Sequence, residues 1–154
     1  MGEEMERVRM VEITQKKDVT RIAKASGHIK LRPETVKKIR MREIEKGNVL
    51  AVAKTAGILA AKQTPIIVPL CHPIAITKVS IEVEMEDGGV TVTSEVVSLG
   101  KTGVEMEALT ALSAALLTIW DMVKKYEKDD FGQYPDTAIT DIRIIKKEKK
   151  NRRD

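Results

Sequence analysis

Apolar and polar positions alternate most clearly from Thr77 to Met85, where Val79, Ile81, Val83 and Met85 interleave with Lys78, Ser80, Glu82 and Glu84. A period of two puts each set on its own face, so this stretch predicts a half-buried β-strand. Asp87-Gly88-Gly89 follows, and Val90-Thr91-Val92-Thr93-Ser94-Glu95-Val96 resumes the alternation, which predicts a hairpin. Upstream, Val19 to Ala25 and Ile29 to Leu31 read as one partly alternating strand with a bulge or bend expected at Ser26-Gly27. Ala138 to Ile145 reads as a final strand of mixed alternation.

Three stretches carry helical signals. Pro33-Glu34 opens a helix expected to run through Glu45, because proline suits the first helical position and glutamate the positive end of the dipole. Gly47 is expected to end it, with Lys46 at its carboxyl end. Asn48 is a good N-cap for a second helix reaching about Gln63, whose alanines and Gly57 allow close approach of another backbone. Thr102-Gly103-Val104-Glu105 reads as a capping box opening a helix to about Glu127. From Ala108 to Trp120 that helix carries no charge on any side, and a helix apolar all round must be covered all round. A sheet covers one flank; a two-layer domain leaves the other bare, which predicts that a second copy of the chain covers it.

The resulting order is βαββαβ, an α+β ferredoxin-like arrangement with an antiparallel sheet and helices on one face. Residues 1–9 are charged and patternless and are expected to be a disordered N-terminus, 10–146 a single domain, and 147–154 a basic tail. No internal repeat or low-complexity segment occurs.

Composition narrows the function classes. At 154 residues and 42% hydrophobic content the chain fits one core. The formal charge of +4 comes wholly from Lys146 to Asp154, so the body is near neutral. Such a tail is either a solvated end or a nucleic-acid arm, and 3% aromatic residues argue against a base-stacking surface. The one cysteine, Cys71, excludes an internal disulfide. With neither a leader pattern nor an uncharged 18-residue run, the expectation is a soluble cytoplasmic protein with no membrane partner. Cys71 and His72 are adjacent, which is not zinc-ligand spacing, and His28 lies far off in sequence, so no metal site is expected.

Candidate chemistry gathers at Pro65-Ile66-Ile67-Val68-Pro69-Leu70-Cys71-His72-Pro73, which holds three of the five prolines. Prolines on both sides of Leu70-Cys71-His72 predict a stiff extended loop that aims its side chains. Imidazole suits proton transfer near neutrality; equally, His72 fits a loop histidine bonded to a backbone carbonyl. Asp121 and Lys124 share a helical face just after thirteen uncharged residues, as a functional pair or as a surface i, i+3 ion pair. Arg21 fits a surface charge or an anion ligand, and Lys46 the favoured cation of a helix end or a catalytic group. Glu107 and Asp121 lie fourteen residues apart on one helix, hence about 21 Å along its axis, so a site using both lies between subunits. Arg21, Lys46, Lys62, His72, Asp121 and Lys124 together suit acid–base chemistry on an anionic, phosphorylated small molecule. The contrasting reading is an oligomeric ferredoxin-like binding module whose basic tail contacts nucleic acid.

Five ordered segments carry a resemblance: Lys-Gly-Asn-Val at 46–49, Ala-Gly-Ile-Leu-Ala-Ala-Lys at 56–62, Pro-Leu-Cys-His-Pro at 69–73, Lys-Thr-Gly-Val-Glu-Met-Glu-Ala-Leu-Thr at 101–110 and Asp-Met-Val-Lys at 121–124. With these the chain resembles the cyclic pyranopterin monophosphate synthase family, molybdenum cofactor biosynthesis protein C, from about Met10 to Ile145. The resemblance implies a lyase that converts (8S)-3′,8-cyclo-7,8-dihydroguanosine 5′-triphosphate to cyclic pyranopterin monophosphate with release of diphosphate. It implies a homohexamer built as a trimer of dimers, with sites at dimer interfaces. It implies no resident cofactor, with Mg²⁺ possible alongside the triphosphate, and no nucleic-acid partner. On the matching positions Asp121, Lys46, Lys124 and His72 are the implied catalytic residues. Leu70, Cys71, His72, Met106 and Glu107 are the implied substrate contacts, and Arg21 and Lys62 the implied triphosphate cations. The chain departs from the family pattern in a longer loop at Lys128–Thr137 and in lacking the Lys-Ser-Gly-Gly-Lys-Ser-Gly segment, Lys147 being followed by Glu148-Lys149-Lys150.

Overall fold

A computed structural model describes residues 7–151. The expected disorder of residues 1–6, and the end of the basic tail at 152–154, lie outside the described residues. Four strands, β1 (Val19–Lys30), β2 (Ile76–Glu86), β3 (Gly89–Gly100) and β4 (Ala138–Lys150), form one antiparallel sheet in the order β2-β3-β1-β4. Helices α1 (Pro33–Arg40), α2 (Val49–Lys62), the single turn α3 (Thr64–Ile67) and α4 (Glu105–Glu127) complete the chain. α2 and α4 pack on each other and on one face of the sheet, the α+β ferredoxin-like layout expected from the βαββαβ order.

Alternation builds the core. Ala23, Ala25 and Ile29 of β1 and Val90, Val92 and Val96 of β3 point inward against Ala108, Leu112, Ala115, Leu116 and Ile119 of α4, all of them buried. The hairpin closes through Asp87-Gly88 into Gly89, whose φ of +157° and close approach to the Ile29 carbonyl exclude a side chain. α2 meets α4 through Ala53, Gly57 and Ala61, and a Cβ on Gly57 would sit 3.0 Å from the Ala111 carbonyl oxygen.

Several local expectations are corrected. β1 is unbroken and pairs with β3 in one register from Val19 to Lys30; against β4 the register shifts between Ser26 and His28, at the expected place, and also between Lys24 and Ala25. β4 carries the extra residues, among them Asp141 at φ +60°, since an edge strand can bulge without disrupting a neighbour on its far side. α1 stops at Arg40 rather than Glu45: Arg42 takes a left-handed conformation, and the turns that follow bury Ile44 while leaving Glu45 and Lys46 exposed. Lys46 therefore sits on a turn and not at a helix end.

Asn48 caps α2 as expected, its side chain accepting from the Ala51 amide at 3.1 Å. The capping box at Thr102 does not form. Val104 is the N-cap without a side-chain bond, and the Glu105 carboxylate accepts instead from Lys147 of β4 at 2.7 Å. Residues 146–150 are strand: Lys146 and Lys150 flank Glu148 at 3.2 and 3.6 Å, and Lys147 is paired with Glu105. The longer loop is ordered by its own chemistry: Asp129 Oδ1 accepts from the amides of Phe131 and Gln133 at 2.9 Å each, and Tyr134 meets Trp120 edge to face at 5.2 Å.

α4 has the length and apolar composition of a membrane-crossing helix, but half of its apolar window is buried in this fold, against the sheet and α2. Leu117 (61%) and Met106 (40%) of α4 are exposed, as are Val52 and Leu59 of α2.

Candidate active site

Two clusters of the expected residues form, one at each end of α4. At the C-terminal end, α2 and α4 run antiparallel, which brings the turn before α2 to the last turns of α4. Lys46 Nζ donates to Asp121 Oδ2 at 3.0 Å and to the Asp121 carbonyl at 3.1 Å, and Lys124 Nζ lies 3.1 Å from Asp121 Oδ1. The i, i+3 pair expected from sequence is thus one of two ion pairs in a three-residue arrangement with a lysine on each carboxylate oxygen. Hydrogen bonds from Lys46 and then Lys124, with the charges of both, hold the Asp121 carboxyl below its ordinary range. These residues line a cavity of about 360 Å³ with Glu45, Lys125 and Tyr126.

At the N-terminal end of α4, Cys71 Sγ lies 3.7 Å from Glu107 Oε2. Glu107 is 1% exposed and its Oε1 has no partner. Burial pushes its carboxyl above the ordinary range, and burial followed by the Glu107 charge pushes the Cys71 thiol up. His72 lies beside them, its Nε2–H donating to the Val11 carbonyl at 2.6 Å, so the ring carries its proton on Nε2 in this arrangement. The Leu70-Cys71-His72 segment is not extended: Val68 to Cys71 is a turn closed by the Cys71 amide on the Val68 carbonyl at 3.1 Å, with Pro69 at its second position, where a fixed φ favours it. The prolines stiffen the segment as expected, in a turn rather than a strand-like conformation.

Leu70, Cys71, His72 and Met106 line a cleft of about 490 Å³. Arg9 and Lys16, which the sequence pattern did not single out, line it too. Nothing periodic marks their segment, and no motif in the sequence points to either residue. Lys101 fastens that segment through the carbonyls of Thr14 and Lys16 at 3.3 and 3.1 Å. Arg21 reaches the same end, Nε donating to the Gly100 carbonyl at 3.0 Å. Burial alone would raise the nearby Glu105 carboxyl, but Lys147, the Glu105 amide and Arg21 together bring it below its ordinary range. Lys62 is exposed on the last turn of α2, at the same end of the helical layer, and lines neither cleft.

The two clusters cannot meet within one chain, since fourteen residues of α4 hold Glu107 and Asp121 about 21 Å apart along the axis. Among the described residues no three histidine, cysteine or carboxylate side chains converge as a metal set.

The MoaC family profile matches residues 10–150. The chain belongs to the MoaC family. Members similar to it include a probable cyclic pyranopterin monophosphate synthase of Sulfurisphaera tokodaii, 58% identical over 143 residues that cover 93% of this chain and 95% of that protein. A protein of the same description from Pyrococcus furiosus is 59% identical over 145 residues, covering 94% and 93% of the two chains. One from Methanococcoides burtonii is 58% identical over 144 residues, covering 94% and 91%. The MoaC match spans β1 to the end of β4, so it takes in both clusters.

Proposed function

We propose that this MoaC-family protein is a cyclic pyranopterin monophosphate synthase of molybdenum cofactor biosynthesis, which acts in the cytoplasm on (8S)-3′,8-cyclo-7,8-dihydroguanosine 5′-triphosphate and releases diphosphate. The observation that carries the reading is the convergence of Lys46 and Lys124 on Asp121 at 3.0 and 3.1 Å. An ionised carboxylate between two ammonium groups holds both lysines at one point, where either can give or take a proton as the purine ring opens and recloses. Two cations beside the reacting centre also stabilise charge that builds up on phosphate or ring oxygens.

The Cys71–Glu107 end binds the guanine-derived ring in this proposal: Leu70, His72 and Met106 form the walls, the free Glu107 oxygen is a polar contact, and His72 assists proton transfer. Arg21 and Lys62 hold the triphosphate. No resident cofactor takes part, and Mg²⁺ enters with the triphosphate. Because the two ends of α4 are too far apart for one small substrate, each site combines the lysine–aspartate end of one chain with the Cys71–Glu107 end of another, within a hexamer arranged as a trimer of dimers. The exposed Leu117, Met106, Val52 and Leu59 give that partner an apolar surface to cover.

Incubation with the cyclised triphosphate tests the reading. Wild-type protein forms the pterin monophosphate and one diphosphate per turnover, and Asp121→Asn forms neither while keeping the wild-type oligomer. An inert wild-type protein, or an Asp121→Asn variant with substantial turnover, refutes it.

A further inference from the structure

Lys46 reaches Asp121 from an irregular turn, so whatever holds that turn in place also holds the ammonium group. α1 ends at Arg40, and residues 41–47 follow no regular structure, with Arg42 at φ +57° and Gly47 at φ +112° at either end. Within that stretch Ile44 is buried, 6% exposed, while Glu45 and Lys46 stand out into solvent. Two contacts bind the exposed crest back to α4. The Glu45 amide donates to the Tyr126 hydroxyl at 2.8 Å, and the Glu45 carboxylate pairs with Lys125. Among the described contacts, the Glu45 amide is the one partner of the Tyr126 hydroxyl.

Tyr126 is itself well fixed. It follows Asp121 by five residues on the same helix, its carbonyl accepts from the Arg32 guanidinium, and its ring lies under the ammonium groups of Lys38 and Lys125 at 5.4 and 6.0 Å from the centroid. The neighbouring Glu127 is fully buried in hydrogen bonds to Arg32, Thr35 and Thr137. The hydroxyl is therefore a rigid acceptor, attached to the helix that bears Asp121 and aimed at the backbone one residue before Lys46.

We infer that Tyr126 is a positioning residue for Lys46: its hydroxyl clamps the Glu45 amide and so keeps the Lys46 ammonium on Asp121. The inference rests on the proposed synthase reading for its effect on turnover, but not for its effect on Lys46 itself. A tyrosine whose role was only to pack would act through its ring, and Tyr126→Phe leaves the ring, both lysine contacts and the helix intact.

The test compares Tyr126→Phe with wild type by two readouts. One is the rate at which an amine-acetylating reagent modifies Lys46, measured by mass spectrometry against Lys54 and Lys62 in the same protein. The other is kcat and KM for the cyclised triphosphate. Losing one hydrogen bond to a loop that must stay in place is expected to lower kcat about fivefold. KM should stay within about twofold, because Lys46 lies at the reacting end and not among the triphosphate cations. Lys46 labelling should rise several-fold relative to Lys54 and Lys62. An unchanged labelling ratio overturns the clamp whatever the activity does. A raised ratio with unchanged kcat overturns its role in turnover. Should wild-type protein itself be inert on the triphosphate, the synthase reading fails and the labelling ratio still decides the clamp.

Discussion

Glu127 is the most consequential side chain outside the two clusters, and removing it has a cost that can be worked out. Its carboxylate is fully buried; it accepts from the Arg32 amide at 3.2 Å, from the Thr137 hydroxyl at 2.7 Å and from the Thr35 hydroxyl, with the Arg32 guanidinium at 3.7 Å. Thr35 and Thr137 are buried too, 1% and 8% exposed. Glu127→Ala strands three donors, each costing about 1 kcal/mol when left unpaired, and deletes buried methylene surface worth about 0.8 kcal/mol per group. Recovered desolvation of the carboxylate offsets part of this. The net expectation is a loss of about 3–4 kcal/mol, equivalent to about 10 °C in Tm for a domain of this size. Glu127→Gln keeps an acceptor but turns two N–H donors on donors, and should cost about half as much. Urea unfolding at fixed protein concentration, followed by circular dichroism, measures both, with exposed Glu43→Ala as the control. A Glu127→Ala loss below about 1 kcal/mol, or one no larger than the control, refutes the reasoning.

Four further outcomes follow from the geometry. Glu107 has a folded-state pKa raised by burial, so its charge costs stability that is absent below the ordinary glutamate range and fully present above the raised value. Glu107→Gln should therefore stabilise the protein at pH 8 and do nothing at pH 4, as melts at the two values will show. The same substitution removes the charge that helps hold the Cys71 thiol up, so alkylation of Cys71 by iodoacetamide at pH 7.5, slow in wild type, should become faster. Gly57→Ala places a Cβ 2.9 Å from Ile81 Cδ1 and 3.0 Å from the Ala111 carbonyl oxygen; because the carbonyl belongs to the backbone of α4, it should cost about 1–3 kcal/mol in chemical denaturation. Truncation after Lys146 removes the last residues of β4 and the Lys147–Glu105 pair, so it should lower Tm by several degrees and not merely weaken substrate binding.

The parts of the fold that were legible in the sequence are those fixed by local periodicity. Val79 to Met85 alternates strictly, Val90 to Val96 does so but for Ser94, and the uncharged run from Ala108 to Trp120 reads as the core helix, one side of which the sheet and α2 cover. Where tertiary partners compete with local signals, the local reading failed. Glu105 had the spacing of a capping box, but Lys147, more than forty residues later, offers its carboxylate a charged partner in place of an amide. Lys146 to Lys150 looked like a solvated tail because lysines suit solvent, and they equally suit an exposed edge strand, where charge guards against pairing with a stranger. Nothing between Met41 and Glu45 forbade helix, yet the chain turns there so that Ile44 can be buried. At the site, Asp121 and Lys124 were visible as neighbours on one helical face. The third member, Lys46, is a candidate from the residues alone, but it lies 75 residues away and no local pattern shows that it meets Asp121. Arg9 and Lys16 are not legible in the sequence, because a segment without periodicity carries no sign of what it lies against.

The corner around Glu127 joins residues 95 positions apart in the chain, Arg32 near one end and Glu127 near the other, and Thr137 adds its hydroxyl from ten residues further on. During synthesis, then, the turn bearing Lys46 leaves the ribosome long before the helix end that will hold it. A polypeptide interrupted before Glu127 carries Arg32 and Thr35 but no carboxylate to receive them, so the corner waits for the end of α4 to be made.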